Sequence, residues 1–414
     1  MKIAHISHTD AGAGAGRAAY RIHRSLCALG EDSQMFVSAK RTSDPTVISL
    51  ADGGWLRFWA KMHEYGEAKL AQRQTAPDAG LFSPSRFGHF HPAADARIAT
   101  AEIISLYWIN GGFIAPEGLA GLTQPIVWRL SDVWPFTGGC HYPGQCTRYT
   151  QHCGECPKLL RPSAMDASAR LWARKEKAWR ALNLTIAAPS EWMATLARNS
   201  ALFRDRRVEV IPTGVDTDAY CPRDKTIARA KWQIPQDKTV IMFGAMDTNE
   251  RRKGFAELNG ALHILAEMPY KDQLMAVVFG SSAMEARLPI PTMFLGRLTD
   301  DAALATAYAA ADMVVVPSLE DNLPNVALEA LACGTPVVGF DVCGMPDIVR
   351  HGWNGALAAT TSTQALAAAM AHVLENGRSM DMATNARSHA LARFSLTQQA
   401  QLYLQLYRDL VSRR

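Results

Sequence analysis

Long apolar runs are missing from this sequence. No stretch reaches the ~18 apolar residues that a bilayer-crossing helix requires, so no membrane-spanning helix is expected. The opening residues 1–7 hold an apolar run far shorter than the core of a secretory signal. The chain is therefore expected in the cytoplasm, where thiols are mostly reduced. A strong charge of one sign is missing too. The 43 basic and 39 acidic residues leave a net charge of +4. Nucleic-acid binding usually needs a clear basic surplus or stripe, so no nucleic-acid partner is expected. The mild surplus suits an anionic small substrate, or peripheral contact with the acidic inner face of a membrane. No internal repeat and no low-complexity tract is present, which excludes a solenoid or a disordered array.

What is there is 414 residues, 48% hydrophobic and 20% charged. That is a globular balance and too much chain for one ordinary core, so two α/β domains are expected. Strand-like runs fall at 2–7, 34–38, 103–108, 126–130, 184–188 and 208–211. Between the first two lies a Gly-rich turn with Gly12, Gly14, Gly16 and Arg17, then a helical pattern through Ala18, Ile22, Leu26 and Leu29. Strand, helix, strand implies a parallel sheet. Residues 51–98 fit less well: Trp55, Phe58, Trp59, Met62 and Leu70 suggest a helical excursion, and 77–92 reads as a long irregular loop. The second half alternates cleanly, with strands at 240–244, 276–279, 292–295, 313–316 and 336–340. Helices are expected between them, near 255–267, 300–310, 324–333 and 363–375. The expected division is 1–200 and 201–396, with a cysteine-rich insertion at 138–160. A terminal helix at 397–414, striped by Leu402, Leu406 and Leu410, is expected to pack back on the first domain. Two doubly wound domains facing across a cleft would bind ligands at the C-terminal ends of their strands.

The most informative stretch is 318–339. Val314, Val315 and Val316 before it read as a buried parallel strand. Asp321 and Glu329 follow, with a helix opening between them at Leu323, Pro324 and Asn325. A helix N-terminus favours a phosphate. Glu329, about one turn in, can accept hydrogen bonds from a diol such as a ribose. The plainer alternative is that Asp321 caps the helix and Glu329 pairs with an arginine. Upstream, Arg251, Arg252 and Lys253 precede Gly254; they suit a diphosphate, or form a solvated turn.

These motifs, in this order, resemble retaining glycosyltransferases of the GT-B fold, family 4 (glycosyl transferases group 1). The first acidic residue of that signature is usually Glu; here it is Asp321, in a variant shared by a bacterial envelope-polysaccharide subset. The resemblance implies an α/β GT-B fold of two doubly wound Rossmann-like domains. It implies that Glu329 holds the ribose, and that Asp321 with Asn322, Leu323, Pro324 and Asn325 touches donor sugar and diphosphate. Arg252 and Lys253 would hold the diphosphate, Arg297 and Leu298 after Gly296 would read the base, and Gly14, Gly16 and Arg17 would close over the phosphates. Residues 212–216 resemble the family's hinge, with Thr213 in place of Asn. The implied activity is transfer of a hexose-type sugar from a UDP- or GDP-sugar to a glycan or lipid-linked acceptor, in envelope, exopolysaccharide or O-antigen synthesis. No catalytic cofactor is implied. The alternatives are a non-catalytic sugar-nucleotide-binding subunit and a GT-B sugar-nucleotide epimerase.

Two family histidines are absent from their usual places: Tyr107 and Trp108 follow one strand, and Ser131 precedes Asp132. Asp132 remains the candidate acceptor-positioning base beside Asp321, or else it caps a turn. Cys140, Cys146, Cys153 and Cys156 lie with five, six and two residues between them. Four thiolates so spaced can close a tetrahedral zinc site, with His141 and His152 as competing ligands. Reduced or paired cysteines and another metal are the alternatives. A basic helix near 166–183 carries Arg170, Arg174, Lys175, Lys177 and Arg180 among Leu171, Trp172, Trp179 and Leu182. It either lies on an anionic leaflet or packs its apolar stripe on its own domain.

Overall fold

Short aliphatic runs that are buried on both faces pair in parallel with one another throughout the chain. The computed structural model describes every residue except 13, 78, 246–249, 281–286, 378–380 and 414. The chain divides into two units, Met1–Pro212 with Gln399–Arg414, and Thr213–Gln398.

The first unit carries β1 (Lys2–Thr9), α1 (Gly14–Ala28), β2 (Asp32–Ala39), β3 (Val47–Ser49), α2 (Gly54–Gln74), α3 (Ala96–Ala99), β4 (Ile103–Leu106), β5 (Ile126–Arg129), α4 (Ala167–Trp179), β6 (Leu184–Ala188), α5 (Glu191–Asn199) and β7 (Arg207–Val210). Its seven strands run β3-β2-β1-β4-β5-β6-β7. The second unit carries α6 (Lys225–Trp232), β8 (Thr239–Ala245), α7 (Phe255–Leu265), β9 (Leu274–Gly280), β10 (Thr292–Gly296), α8 (Asp301–Ala310), β11 (Met313–Val316), α9 (Asn325–Ala332), β12 (Val337–Phe340), α10 (Met345–Ile348), β13 (Gly355–Ala358), α11 (Thr363–Asn376) and α12 (Met382–Phe394). Its six strands run β10-β9-β8-β11-β12-β13. Both orders reverse direction at an interior pair, β1/β4 and β8/β11, and such reversals open a crevice at the strand ends.

The division falls at 212/213 rather than 200/201, because β7 pairs with β6 and so completes the first sheet. The last helix, α13 (Leu396–Ser412), enters the first unit at Gln399. There Tyr403, Leu406 and Tyr407 join a core with Ile3, Ile103 and Tyr107, and the Tyr407 hydroxyl donates to Ser105 Oγ at 2.8 Å. Strands β3 and β13, too short for a periodic signal, and helices α6 and α12 were not anticipated from pattern.

Helix α4 does not present its apolar stripe outward. Leu171, Trp179 and Leu182 are buried, and so is Lys175. The Lys175 ammonium donates to the carbonyls of Trp134 and Thr137 and lies 3.4 Å from the centre of the Trp134 ring. Basic spacing on this helix thus reads as membrane contact only until its neighbours fill in. The exposed apolar helix is instead α2, where Trp55, Leu56, Phe58, Trp59, Met62 and Tyr65 all face solvent. Its one buried residue, Glu67, accepts from the backbone N–H groups of Ser85 and Phe87 at 2.8 and 2.6 Å. That carboxylate ties the irregular stretch after α2 to the helix. Among the described residues no helix is long and apolar enough to cross a membrane.

Beneath the first sheet, His23 bridges Ser33 Oγ and Thr46 Oγ1 at 2.8 Å each. Burial pulls its imidazole down to about 4. The folded ring therefore stays neutral where the unfolded one, near 6.5, takes a proton. Its contribution to stability is present above the unfolded value and is lost as pH falls toward 4, by at most about 3 kcal/mol. The urea midpoint of the first unit is expected to fall between pH 7 and pH 5, and His23→Gln is expected to flatten that slope. An unchanged slope in the variant assigns the pH dependence elsewhere.

Candidate functional site

The reversal between β8 and β11 gathers the residues singled out at 251–254 and 318–329. After β8 the chain forms a single 3-10 turn at Arg251–Lys253, and Gly254 turns it into α7 at φ +68°. A Cβ at Gly254 would stand 1.8 Å from the Pro317 carbonyl oxygen. Only glycine allows this backbone to lie against the loop after β11. The two loops are then stitched together. Leu319 N–H donates to the Arg252 carbonyl at 2.7 Å, and Arg252 Nη1 donates to the Glu320 carbonyl at 3.3 Å. Lys253 Nζ donates to Asp321 Oδ2 at 2.7 Å, with Arg252 Nη1 3.9 Å from the same oxygen. Lys253 is thus paired with Asp321, Arg252 lies at the margin of contact with it while its Nε pairs with Glu250 at 2.5 Å, and Arg251 pairs with Glu257.

Asp321 is not a helix cap. The N-cap of α9 is Pro324, with no side-chain cap bond. Asn322, Leu323 and Pro324 are buried, and Asn325 opens the helix half-exposed. Backbone N–H groups at that start, close to two cations, form an anion-friendly pole. Glu329 lies further along α9 and is buried, and the Tyr308 hydroxyl of α8 donates to its Oε2 at 3.1 Å. A tyrosine is thus one of its partners. Gly296 turns at φ +67° after β10, Arg297 is exposed, and Leu298 packs partly on the core. The two motifs at β8 and β11 are brought together; Arg297 and Leu298 follow β10, two strands away from β8 in the same sheet.

Gly14, Gly16 and Arg17 belong to the first unit, at the start of α1. A Cβ at Gly16 would meet Thr9 at 2.8 Å, so the helix start presses on the end of β1. Asp10 holds the loop after β2, accepting from Arg41 N, Thr42 N and Thr42 Oγ1 at 2.7, 2.9 and 2.6 Å.

Asp132, after β5, is buried and spends both oxygens on the protein. Oδ1 accepts from Trp134 N–H at 2.9 Å, which is the expected turn cap. Oδ2 lies 2.7 Å from His141 Nδ1. His141 Nε2 lies in turn 2.8 Å from Ser83 Oγ, so carboxylate, imidazole and hydroxyl form one buried chain. The Trp108 ring lies 6.1 Å from His141 and 5.5 Å from His8, near the end of β1. Histidines therefore do stand at these strand ends, although not at the positions where the family pattern puts them. Ser83 and His8 were missed by sequence reasoning. His8 lies one residue before the end of the first strand, which is a readable signal, whereas nothing in the 77–92 loop marked Ser83.

Cys140, Cys146, Cys153 and Cys156 are all free thiols and line one small cavity in the first unit. Burial pushes the Cys140 thiol up to about 11 and the Cys153 thiol up to about 12.

Comparison with known proteins agrees with the second unit's reading. Residues 237–376 match the family described as Glycosyl transferases group 1. A D-inositol 3-phosphate glycosyltransferase of Geodermatophilus obscurus is 34% identical over 199 residues, 45% of this chain and 44% of that protein. D-inositol 3-phosphate glycosyltransferase 2 of Catenulispora acidiphila is 27% identical over 397 residues, 90% of this chain and 84% of that protein. The chain thus spans less than half the length of the first of these relatives. Sucrose-phosphate synthase from Thermosynechococcus elongatus superposes with a TM-score of 0.69 at 20% identity, covering 100% of both chains. Anabaena HepE in complex with UDP-glucose gives 0.64 at 17%, covering 99% of this chain and 100% of that one. The fold is that of GT-B glycosyltransferases, with two parallel-sheet Rossmann-like units, and the stretch 237–376 carries the glycosyl transferases group 1 pattern.

Proposed function

We propose that this protein is a retaining glycosyltransferase that moves a hexose-type sugar from a UDP- or GDP-sugar to a glycan or lipid-linked acceptor of envelope polysaccharide synthesis. The observation that carries the reading is the meeting of Arg252 and Lys253 with Asp321 beside the start of α9. A diphosphate there would draw both cations and leave Asp321 to accept from sugar hydroxyls. Glu329 would accept from the ribose diol. Supporting this, the neighbour HepE was solved with UDP-glucose, and the relatives above are named as glycosyltransferases.

In the reaction the acceptor oxygen bonds to the anomeric carbon as the bond to the leaving phosphate breaks. The acceptor's proton passes to the departing phosphate on the same face, which gives retention. The protein's part is to position groups and stabilise charge. Asp132, oriented by His141, would hold the acceptor hydroxyl.

A thermal-shift panel of UDP-, GDP-, ADP- and dTDP-sugars tests the donor site. One class is expected to raise Tm, and Lys253→Ala is expected to weaken its binding about 10- to 100-fold, the loss of a charge-assisted contact. No shift with any sugar nucleotide rejects the reading. Binding without turnover favours the non-catalytic subunit, and an inverted anomer in the product rejects retention. Asp132→Asn is expected to lower kcat by about 100- to 10,000-fold with donor binding intact; unchanged turnover removes Asp132 from the mechanism.

For a lipid-linked acceptor, the membrane contact belongs to α2. Arg57 and Lys61 alternate there with exposed Trp55, Phe58, Trp59 and Met62, and no acidic residue falls between 54 and 63. Aromatics with interspersed cations match an anionic lipid surface. Trp55→Ala with Phe58→Ala is expected to abolish co-sedimentation with anionic vesicles, while charge reversal at Arg170 and Lys177 leaves it unchanged. Equal binding by the double variant assigns the face to something other than lipid.

A further inference from the structure

Between Thr137 and Asp166 the only regular structure among the described residues is one 3-10 turn, Arg148–Thr150. Tyr149, Cys153 and Leu159 are what this stretch adds to the hydrophobic core. Thirty residues of irregular backbone with so small an apolar anchor need another source of order. Hydrogen bonds supply part of it. The Asp166 carboxylate accepts from Cys156 N–H at 2.8 Å, and Glu155 N–H donates to the Ser163 carbonyl at 2.8 Å.

The four cysteines of the stretch converge. All of them line one cavity of about 20 Å³, which is room for one water-sized sphere. Cys153 and Cys156 reach it from a tight turn through Gly154 and Glu155, the latter at φ +44°. A left-handed glutamate costs about 1–2 kcal/mol, and here that cost sets two sulfurs on one side of the turn. Two sulfurs already accept backbone N–H groups: Cys153 from Gly138 at 3.1 Å, and Cys156 from Lys158. Neutral thiols are weak acceptors and metal-bound thiolates strong ones.

The histidines do not compete. Both ring nitrogens of His141 are engaged, by Asp132 and Ser83, and His152 is exposed, outside the cavity lining. A buried lysine stands alongside. Lys175 donates to two carbonyls and faces an indole ring. Burial pushes its ammonium well below the usual lysine range, with Cys153, Cys140 and Asp132 pulling the other way. The sulfurs ring the cavity more widely than a closed shell: among the described residues no three His, Cys, Asp or Glu side chains are gathered as a formed metal site. A zinc ion with Zn–S of about 2.3 Å would set them about 3.8 Å apart, so binding requires the loop cysteines to draw inward.

We propose that Cys140, Cys146, Cys153 and Cys156 bind one zinc ion as a closed, structural tetrathiolate site. Binding forms four Zn–S bonds and releases four thiol protons to solvent, with no change of oxidation state. No ligand position stays open, so the ion orders the loop and takes no part in chemistry. Cys140 immediately precedes His141, so the same ion fixes the partner of Asp132.

Metal analysis of the full chain, purified under reducing conditions without chelator, is expected to give about one zinc per chain, as one four-ligand site requires. Cobalt substitution is expected to give the sulfur-to-metal charge-transfer bands of a tetrahedral thiolate site. Chelation is expected to expose four thiols to a thiol reagent and to lower Tm. Cys146→Ser is expected to lose its zinc on a desalting column where the parent keeps it; if that variant misfolds, competition of the parent with a chromophoric chelator gives the same information. The proposal is overturned if the reduced protein carries no metal and takes up none when zinc is added. It is equally overturned if peptide mapping finds these cysteines paired as disulfides. None of these readouts uses a sugar nucleotide, so they stand or fall independently of the proposed transferase activity.

Discussion

The absence of a side chain at position 254 is the constraint on which the second unit's charged site depends. With a Cβ there, the Pro317 carbonyl would have to move, and the turn after β8 would separate from the loop after β11. With glycine, two backbone segments from neighbouring strands lie in contact. Arg252 and Lys253 are then delivered to Asp321 by backbone geometry rather than by long flexible reach. The parallel sheet makes this the natural place for it. Both strands end on the same edge at the point where the order of connection reverses, and the helix starting there adds its own positive pole.

The first unit solves a different problem. Helix α2 and strand β5 are followed by long irregular segments, 75–95 and 130–166, whose polar groups must be satisfied in the interior. Buried side chains do that. Glu67 receives two backbone N–H groups, Lys175 donates to two carbonyls, and Asp132, His141 and Ser83 join the two segments in one hydrogen-bonded chain. The acidic group nearest to catalytic use is therefore also a structural one. Its geometry is inherited from how the cysteine-bearing loop is ordered, because Cys140 and His141 are consecutive.

Much of this was legible before any coordinates. The valines at 314–316, the Gly-rich turn after the first strand, and the eight-residue spacing from Asp321 to Glu329 are local signals, and local signals survive in sequence. The alternatives left open were also local. A helix with five cations looks like a membrane face until Lys175 is seen to be buried between carbonyls. The histidines seemed missing because they were sought at two fixed positions. Ser83 lies 58 residues from His141, in a loop with no periodicity, and no pattern within a window connects them.

Sequence by itself determined most strands and helices of both sheets, the glycine that permits the approach at 254, and the chemical types gathered at 251–254, 318–329 and 140–156. These follow from side-chain size, branching and charge, which act on neighbours in the chain. Tertiary structure alone decided which loops meet, which helix buries its apolar stripe and which exposes it, and which histidine pairs with Asp132. Those outcomes rest on contacts between segments distant in sequence, where burial and hydrogen-bond satisfaction are settled by the whole unit at once.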